Sequence, residues 1–252
     1  MTASGLEQAR VVITGGAAGI GLAVAQHFAA LGAQVAAIDR DPSPVTDGIV
    51  GFVADVTDQQ MLDAVFADIA QRLGGVDVLV NNAAVSYVGT VEDGSMEEWH
   101  RVFDINVLGY VRATRAALPY LRRSGQPAIV NLSSCTATSG FAQRALYSAT
   151  KGGVQSMTLA MAADLLREGI RVNCVSPGTV DTPFMDKLAA ASPNPAAKRR
   201  EFELRQPTGH MVDAAEVAAA VAYLASPASR STVGTALVID GGLGSLRIAA
   251  RT

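Results

Sequence analysis

Four side chains of this 252-residue sequence have the types and spacing for proton transfer: Asn106, Ser134, Tyr147 and Lys151. Tyr147 and Lys151 lie four apart, so on a helix they sit one above the other on the same face. A free tyrosine has a pKa of about 10 and is a poor proton acceptor at neutral pH. An ammonium beside it favours the phenolate. Bringing the phenol to ~7 takes roughly 4 kcal/mol, more than one surface ion contact supplies. A dry site with a second positive charge is required. Taken alone, the pair reads as an ordinary amphipathic helix with a half-buried tyrosine and a solvated lysine, so the elements around it must decide.

The first of those elements is a strand, glycine turn, helix, strand and acid in succession. Val11-Val12-Ile13 ends at Thr14 and is followed by Gly15-Gly16-Ala17-Ala18-Gly19-Ile20-Gly21. Leu22, Ala25, Phe28 and Leu31 then recur at helical spacing up to Gly32. Val35 to Ile38 reads as a second buried strand ending at Asp39. Glycines let the backbone turn tightly and approach a pyrophosphate, and the helix N-terminus offers free N–H groups. Asp39, 18 residues after Gly21, stands where a carboxylate binds ribose hydroxyls. Its charge favours NAD over NADP, because it accepts from a 2′-hydroxyl and repels a 2′-phosphate. Arg40 next to it offsets part of that repulsion.

Composition bounds the function class. The chain is 49% hydrophobic and 17% charged with a net charge of −3, which suits one large core and argues against a nucleic-acid binder. Cys135 and Cys174 are the only cysteines, so no disulfide framework is expected. Met1 to Arg10 lacks an apolar signal core, and the alanine-rich run near Ala214 to Ala225 is too short to span a bilayer. A reduced, cytoplasmic setting with no membrane partner is the expectation. His27, His100 and His210 show no metal-ligand spacing, so no metal is expected.

Further along, only Arg40 to Ile49, with Pro42 and Pro44, separate the second strand from a third at Val50 to Ala54. That is too short for a crossover helix and predicts a stub or bare loop. Asp55-Val56 follows, then a helical stripe from Met61 to Leu73. Val76 to Val80 is a fourth strand, ending in Asn81-Asn82-Ala83-Ala84. A helix is expected from about Met96 to Leu121 with Asn106 in its middle; a buried asparagine there either bridges helices or holds a water. Ala128 to Leu132, Ile170 to Val175 and Ala236 to Ile239 are the remaining strands. Phe184 to His210 reads as the least regular part, a mobile covering segment, with Lys198-Arg199-Arg200 as a solvated helix face.

These pieces together resemble the short-chain dehydrogenase/reductase family in its single-domain form. The resemblance rests on Thr14-Gly15-Gly16-x-x-Gly19-Ile20-Gly21, Asp55-Val56, Asn81-Asn82-Ala83-Ala84, Asn106, Ser134, Tyr147-x-x-x-Lys151 and Pro177-Gly178. Ala84 departs from the family's usual glycine. The family implies an α/β, Rossmann-type doubly wound parallel sheet of about seven strands, a single domain over 1–252 with a substrate lid at about 183–210, and a homotetramer. It implies cofactor contacts from Gly15, Ala18, Gly19, Ile20, Gly21, Asp39, Asp55, Val56, Asn82, Tyr147, Lys151, Pro177, Gly178, Val180 and Thr182. It also implies that Ser134 holds the substrate oxygen, Tyr147 is the general base, Lys151 lowers the tyrosine pKa and Asn106 holds a water.

Arg144, three residues before Tyr147, and Arg205 in Arg205-Gln206-Pro207-Thr208-Gly209-His210 resemble a branch of cytosolic 3-hydroxybutyrate and 2-keto-3-deoxy-L-fuconate dehydrogenases. There the matching arginines face a substrate carboxylate, which a guanidinium can grip with two parallel hydrogen bonds. A further lid arginine of that branch is unmatched; Lys187 and Leu188 stand in its place. The expectation is an NAD-dependent dehydrogenase of a small polar hydroxy acid or sugar acid. The alternatives are an NADPH-dependent 3-oxoacyl reductase and a non-catalytic dinucleotide-binding sensor or scaffold.

Overall fold

The computed structural model describes residues 5–42 and 48–247. Its strands are β1 (Arg10–Thr14), β2 (Gln34–Asp39), β3 (Ile49–Val53), β4 (Val78–Asn81), β5 (Ala128–Leu132), β6 (Arg171–Pro177), two-residue β7 (Val180–Asp181) and β8 (Val212–Asp213), and β9 (Ala236–Ile239). The helices are α1 (Gly19–Ala30), α2 (Gln59–Leu73), α3 (Met96–Phe103), α4 (Gly109–Leu121), α5 (Ala145–Leu165), α6 (Pro183–Ala190), α7 (Pro195–Leu204) and α8 (Ala214–Ala225). Seven strands form one parallel sheet in the order β3-β2-β1-β4-β5-β6-β9, and β7 pairs with β8.

The near-continuous apolar runs of the strands follow from burial on both faces, as parallel sheets require. Successive side chains alternate faces. Val11 and Ile13 of β1 pack with Phe28 of α1 and Val217 and Val221 of α8. Val12 points the other way, into a layer with Leu62, Phe66 and Ile69 of α2 and Ala113, Ala117 and Leu121 of α4. The strand order reverses between β1 and β4, so the loops after these strands diverge and leave a crevice at the carboxyl edge. No helix among the described residues is long and apolar enough to cross a membrane.

Two expectations change. The helix expected from Met96 to Leu121 is continuous but contains a π segment at Asp104–Leu108, centred on Asn106; such bulges collect at functional sites. Arg112 clamps it, with Nη2 2.5 Å from Asp104 Oδ1 and Nη1 donating to the carbonyls of Asp104 and Val56. The segment at 183–210 is not irregular: Pro183 and Pro195 start helices α6 and α7, where a missing N–H costs nothing, and Ala189, Phe202 and Met211 form a small core beneath them. Lys198, Arg199 and Arg200 lie on the solvent-accessible side of α7, where Arg199 joins the helix to Asp181 and Asp186 at 2.6 Å each. In the short β2–β3 connection, residues 40–42 and Gly48 carry no helix. The rest of that expectation, Pro44 included, lies outside the described residues.

Candidate active site

A cleft of about 720 Å³ runs along the carboxyl edge of the sheet. One end is built by the loop between β1 and α1. Gly15 takes φ +64, a left-handed conformation suited to glycine, and a side chain on Gly21 would collide with the Gly15 carbonyl. Thr14 Oγ1 accepts from the backbone N–H groups of Asn82 and Ala83, and the Asn82 amide donates to the carbonyls of Thr14 and Gly15. The Asn82 side chain therefore ties the glycine loop to the end of β4. Helix α1 begins without a side-chain cap and without an acidic residue in its first turn, so its first N–H groups face the cleft as orphan donors.

Gly15, Ala18, Gly19, Ile20, Asp39, Asp55, Val56, Asn82, Gly178, Val180 and Thr182 all line this cleft. Asp39 accepts from Ala17 N at 3.2 Å and Arg40 N at 2.8 Å. Asp55 caps its own turn on Thr57, whose N–H and hydroxyl hold its carboxyl below the usual range. Gly21, Pro177 and Asn106, also expected at the ligand, stand behind the wall: Gly21 makes room for the turn, and Pro177 ends β6 in register with Ile239. A cleft with a glycine-walled end and uncapped helix N–H groups fits the diphosphate of a dinucleotide, and Asp39 lines the same cleft.

The other end of the cleft gathers Ser134, Tyr147, Lys151, Arg144 and Arg205 with Ser86, Phe141, Leu188 and Leu243. Ser134 follows β5, and its hydroxyl accepts from Thr136 N at 3.2 Å, which fixes its direction. Burial pushes the Tyr147 phenol up to about 12, against the pull of Arg144 and the Ser134 hydroxyl. Lys151 is only 2% exposed, and burial pushes its ammonium down to about 7. Its Nζ donates to the Leu132 carbonyl at 2.7 Å and the Tyr110 hydroxyl at 3.3 Å, and sits 5.8 Å from the centre of the Tyr147 ring. The expected lowering of the tyrosine pKa by lysine is thus not delivered by the chain's own groups, because the ammonium is engaged elsewhere.

The Asn106 amide is fully committed. Oδ1 accepts from Val85 N, and Nδ2 donates to Val85 O and Thr150 Oγ1, at 2.8, 2.9 and 3.2 Å. Its side chain bridges α5 and the strand-end loop and does not face the cleft. Arg144 is the N-cap of α5, half-buried, and donates to Tyr87 O at 2.9 Å and Ser86 Oγ at 3.3 Å. Burial and the nearby charge of Arg205 both depress its pKa. Arg205 pairs with Glu201 at 2.9 Å and stacks on Phe202. Tyr110 and Ser86 did not emerge from the sequence; a buried tyrosine four residues after Asn106 is the signal for the first. Cys135 and Cys174 are free and buried, with burial raising each thiol to about 11. Among the described residues no group of His, Cys, Asp or Glu is placed to hold a metal.

A family model described as enoyl-(acyl carrier protein) reductase matches residues 15–244. L-Fucose dehydrogenase of Bos taurus is 39% identical over 239 residues, covering 92% of this chain and 88% of that one. Dehydrogenase/reductase SDR family member 6 of Danio rerio is 38% identical over 240 residues, with 92% and 96% covered. The ligand-free aldohexose dehydrogenase of Thermoplasma acidophilum superposes with a TM-score of 0.92 at 34% identity, over 99% of each chain. This chain belongs to the short-chain dehydrogenase/reductase family of oxidoreductases.

Proposed function

We propose that the protein is an NAD-dependent dehydrogenase that oxidises a secondary alcohol of a small polyhydroxylated substrate, a sugar or sugar acid. The convergence of the Ser134 and Tyr147 hydroxyls, at the end of the cleft opposite Asp39, carries this reading. Two of the relatives bear the names of sugar dehydrogenases, which supports the sugar class. The Asp39 carboxylate supports NAD.

The glycine loop, the α1 N-terminus and Asp39 would hold the cofactor, which would supply a hydride acceptor that is positively charged when oxidised. Ser134 donates to the substrate oxygen. Tyr147 removes the hydroxyl proton, and Arg144 lowers the cost of the phenolate. Lys151 acts on the tyrosine only at a distance, its Nζ bonded to Leu132 and Tyr110 and 5.8 Å from the centre of the Tyr147 ring, so the charge of an oxidised cofactor would complete the activation. Burial of the site strengthens each of these interactions. Exposed Leu159 on α5, Leu166 just past its end and Leu108 beside α4 support assembly through these helices, as in the tetramer expected from the family. The two free thiols accord with a cytoplasmic setting.

Arg144 favours the acid within this class. A cation at a helix N-terminus opposes the helix dipole, and a second guanidinium nearby adds repulsion. An anionic substrate group between them would relieve both. The test is a panel of aldoses, sugar acids and short hydroxy acids with NAD and NADP, following formation of the reduced nicotinamide. Oxidation of acyl thioester substrates alone, or with NADP alone, would overturn the proposal.

A further inference from the structure

Lys151 stands between two phenols. Tyr147 precedes it by one turn on α5, and Tyr110 reaches it from the first turn of α4, with ring centres 5.8 and 5.4 Å from Nζ. Tyr110 is 1% exposed and its hydroxyl donates to the Leu132 carbonyl at 3.0 Å. Lys151 Nζ donates to that same carbonyl and to the Tyr110 oxygen. The three groups form a closed triangle in which the carbonyl accepts twice and the phenol both donates and accepts.

The π segment makes this possible. Asn106 within it and Tyr110 just beyond it reach consecutive residues of α5, Asn106 to Thr150 at 3.2 Å and Tyr110 to Lys151 at 3.3 Å. Ser133 completes the frame by donating to the Lys151 carbonyl at 3.0 Å. Backbone and ammonium of Lys151 are therefore held from separate elements, while the Tyr147 hydroxyl is left to Ser134 and Arg144.

We propose that Tyr110 is a positioning residue for Lys151, holding its ammonium on the Leu132 carbonyl and setting how readily that charge forms. The proposal deepens the dehydrogenase reading and rests on it only for its effect on turnover. The titratable groups facing Lys151 are Tyr110 from α4, Tyr147 from its own helix and Cys174 from β6. Of these, Tyr110 alone bonds to the ammonium. Removing its hydroxyl leaves the ring in place and takes one acceptor from the charged form, which favours the neutral amine.

The sequence contains three lysines, Lys151, Lys187 and Lys198, so lysine labelled at the ε-carbon gives a spectrum simple enough to follow each titration by NMR. Lys151→Met assigns the signal. In the dinucleotide-free protein, Tyr110→Phe is expected to lower the Lys151 titration midpoint by about one pH unit, the lower end for a hydrogen bond to a charged group. Tyr147→Phe should leave it in place. A Tyr110→Phe midpoint equal to wild type, or equal shifts in both variants, overturns the proposal. In turnover, Tyr110→Phe should change kcat with the alcohol KM held within about twofold; a rise in KM at constant kcat also overturns it. The titration needs neither cofactor nor substrate, so failure of the dehydrogenase reading leaves it intact as a separate result.

Discussion

Replacing Lys151 with methionine should make the protein more stable at mildly acidic pH. The lysine is 2% exposed, and burial depresses its pKa from 10.5 to about 7. At about 1.4 kcal/mol per unit, that depression represents up to about 5 kcal/mol. Below the folded pKa, lysine is protonated in both states and folding bears the whole cost of burying the charge. Between the folded and unfolded values the folded protein has released a proton that the unfolded chain still holds, so stability rises with pH. Methionine removes this linkage and leaves no acceptor stranded, because the Leu132 carbonyl keeps the Tyr110 hydroxyl. The assay is urea unfolding without dinucleotide at fixed protein concentration, from about pH 6 to about pH 9.5, a range that stops short of the tyrosine titrations. The variant should lead by several kcal/mol at the acid end, and its lead should shrink to about 1 kcal/mol at the alkaline end. A variant less stable than wild type at the acid end, or one with the same pH slope, would refute the reasoning.

Asp39→Ala should shift the ratio of kcat/KM for NAD over NADP towards NADP by about 10- to 100-fold, the worth of one charge-assisted hydrogen bond; an unchanged ratio would remove Asp39 as the selector. Arg144→Ala should raise KM for sugar acids about 10- to 100-fold while leaving KM for neutral sugars nearly unchanged, and equal rises in KM for both would exclude a carboxylate partner. Asn106→Ala strands the Val85 N–H and carbonyl that its amide now satisfies and should cost about 2–4 kcal/mol in urea unfolding. A loss well below that would mean water replaces the amide.

The sheet was legible because apolar runs such as Val11-Val12-Ile13 and Ala128 to Leu132 are what burial on both faces demands. The glycine loop was legible because Gly15 and Gly21 meet steric needs that no other residue meets. The segment from Phe184 to His210 was misread as irregular, although Pro195, like Pro183 just before the segment, stands in the first turn of a helix and starts it. The π segment left no trace, since its apolar spacing differs from that of an α-helix by one residue across a single turn. Lys151's engagement with Leu132 and Tyr110 was also hidden, because one partner is a backbone carbonyl and the other lies 41 residues away. Side-chain identity placed Tyr147 and Lys151 on one helix face but gave no direction for the ammonium.

The most direct test of the central claim is turnover by Tyr147→Phe beside its dinucleotide affinity. The variant lacks only the hydroxyl that burial holds at about 12 and that Arg144 and Ser134 pull down. NAD binding, followed by fluorescence quenching, should stay within about threefold of wild type while kcat for the best sugar or sugar-acid substrate falls about 10²- to 10⁴-fold. A variant that binds NAD normally and retains near-wild-type kcat would contradict Tyr147 as the group that takes the proton.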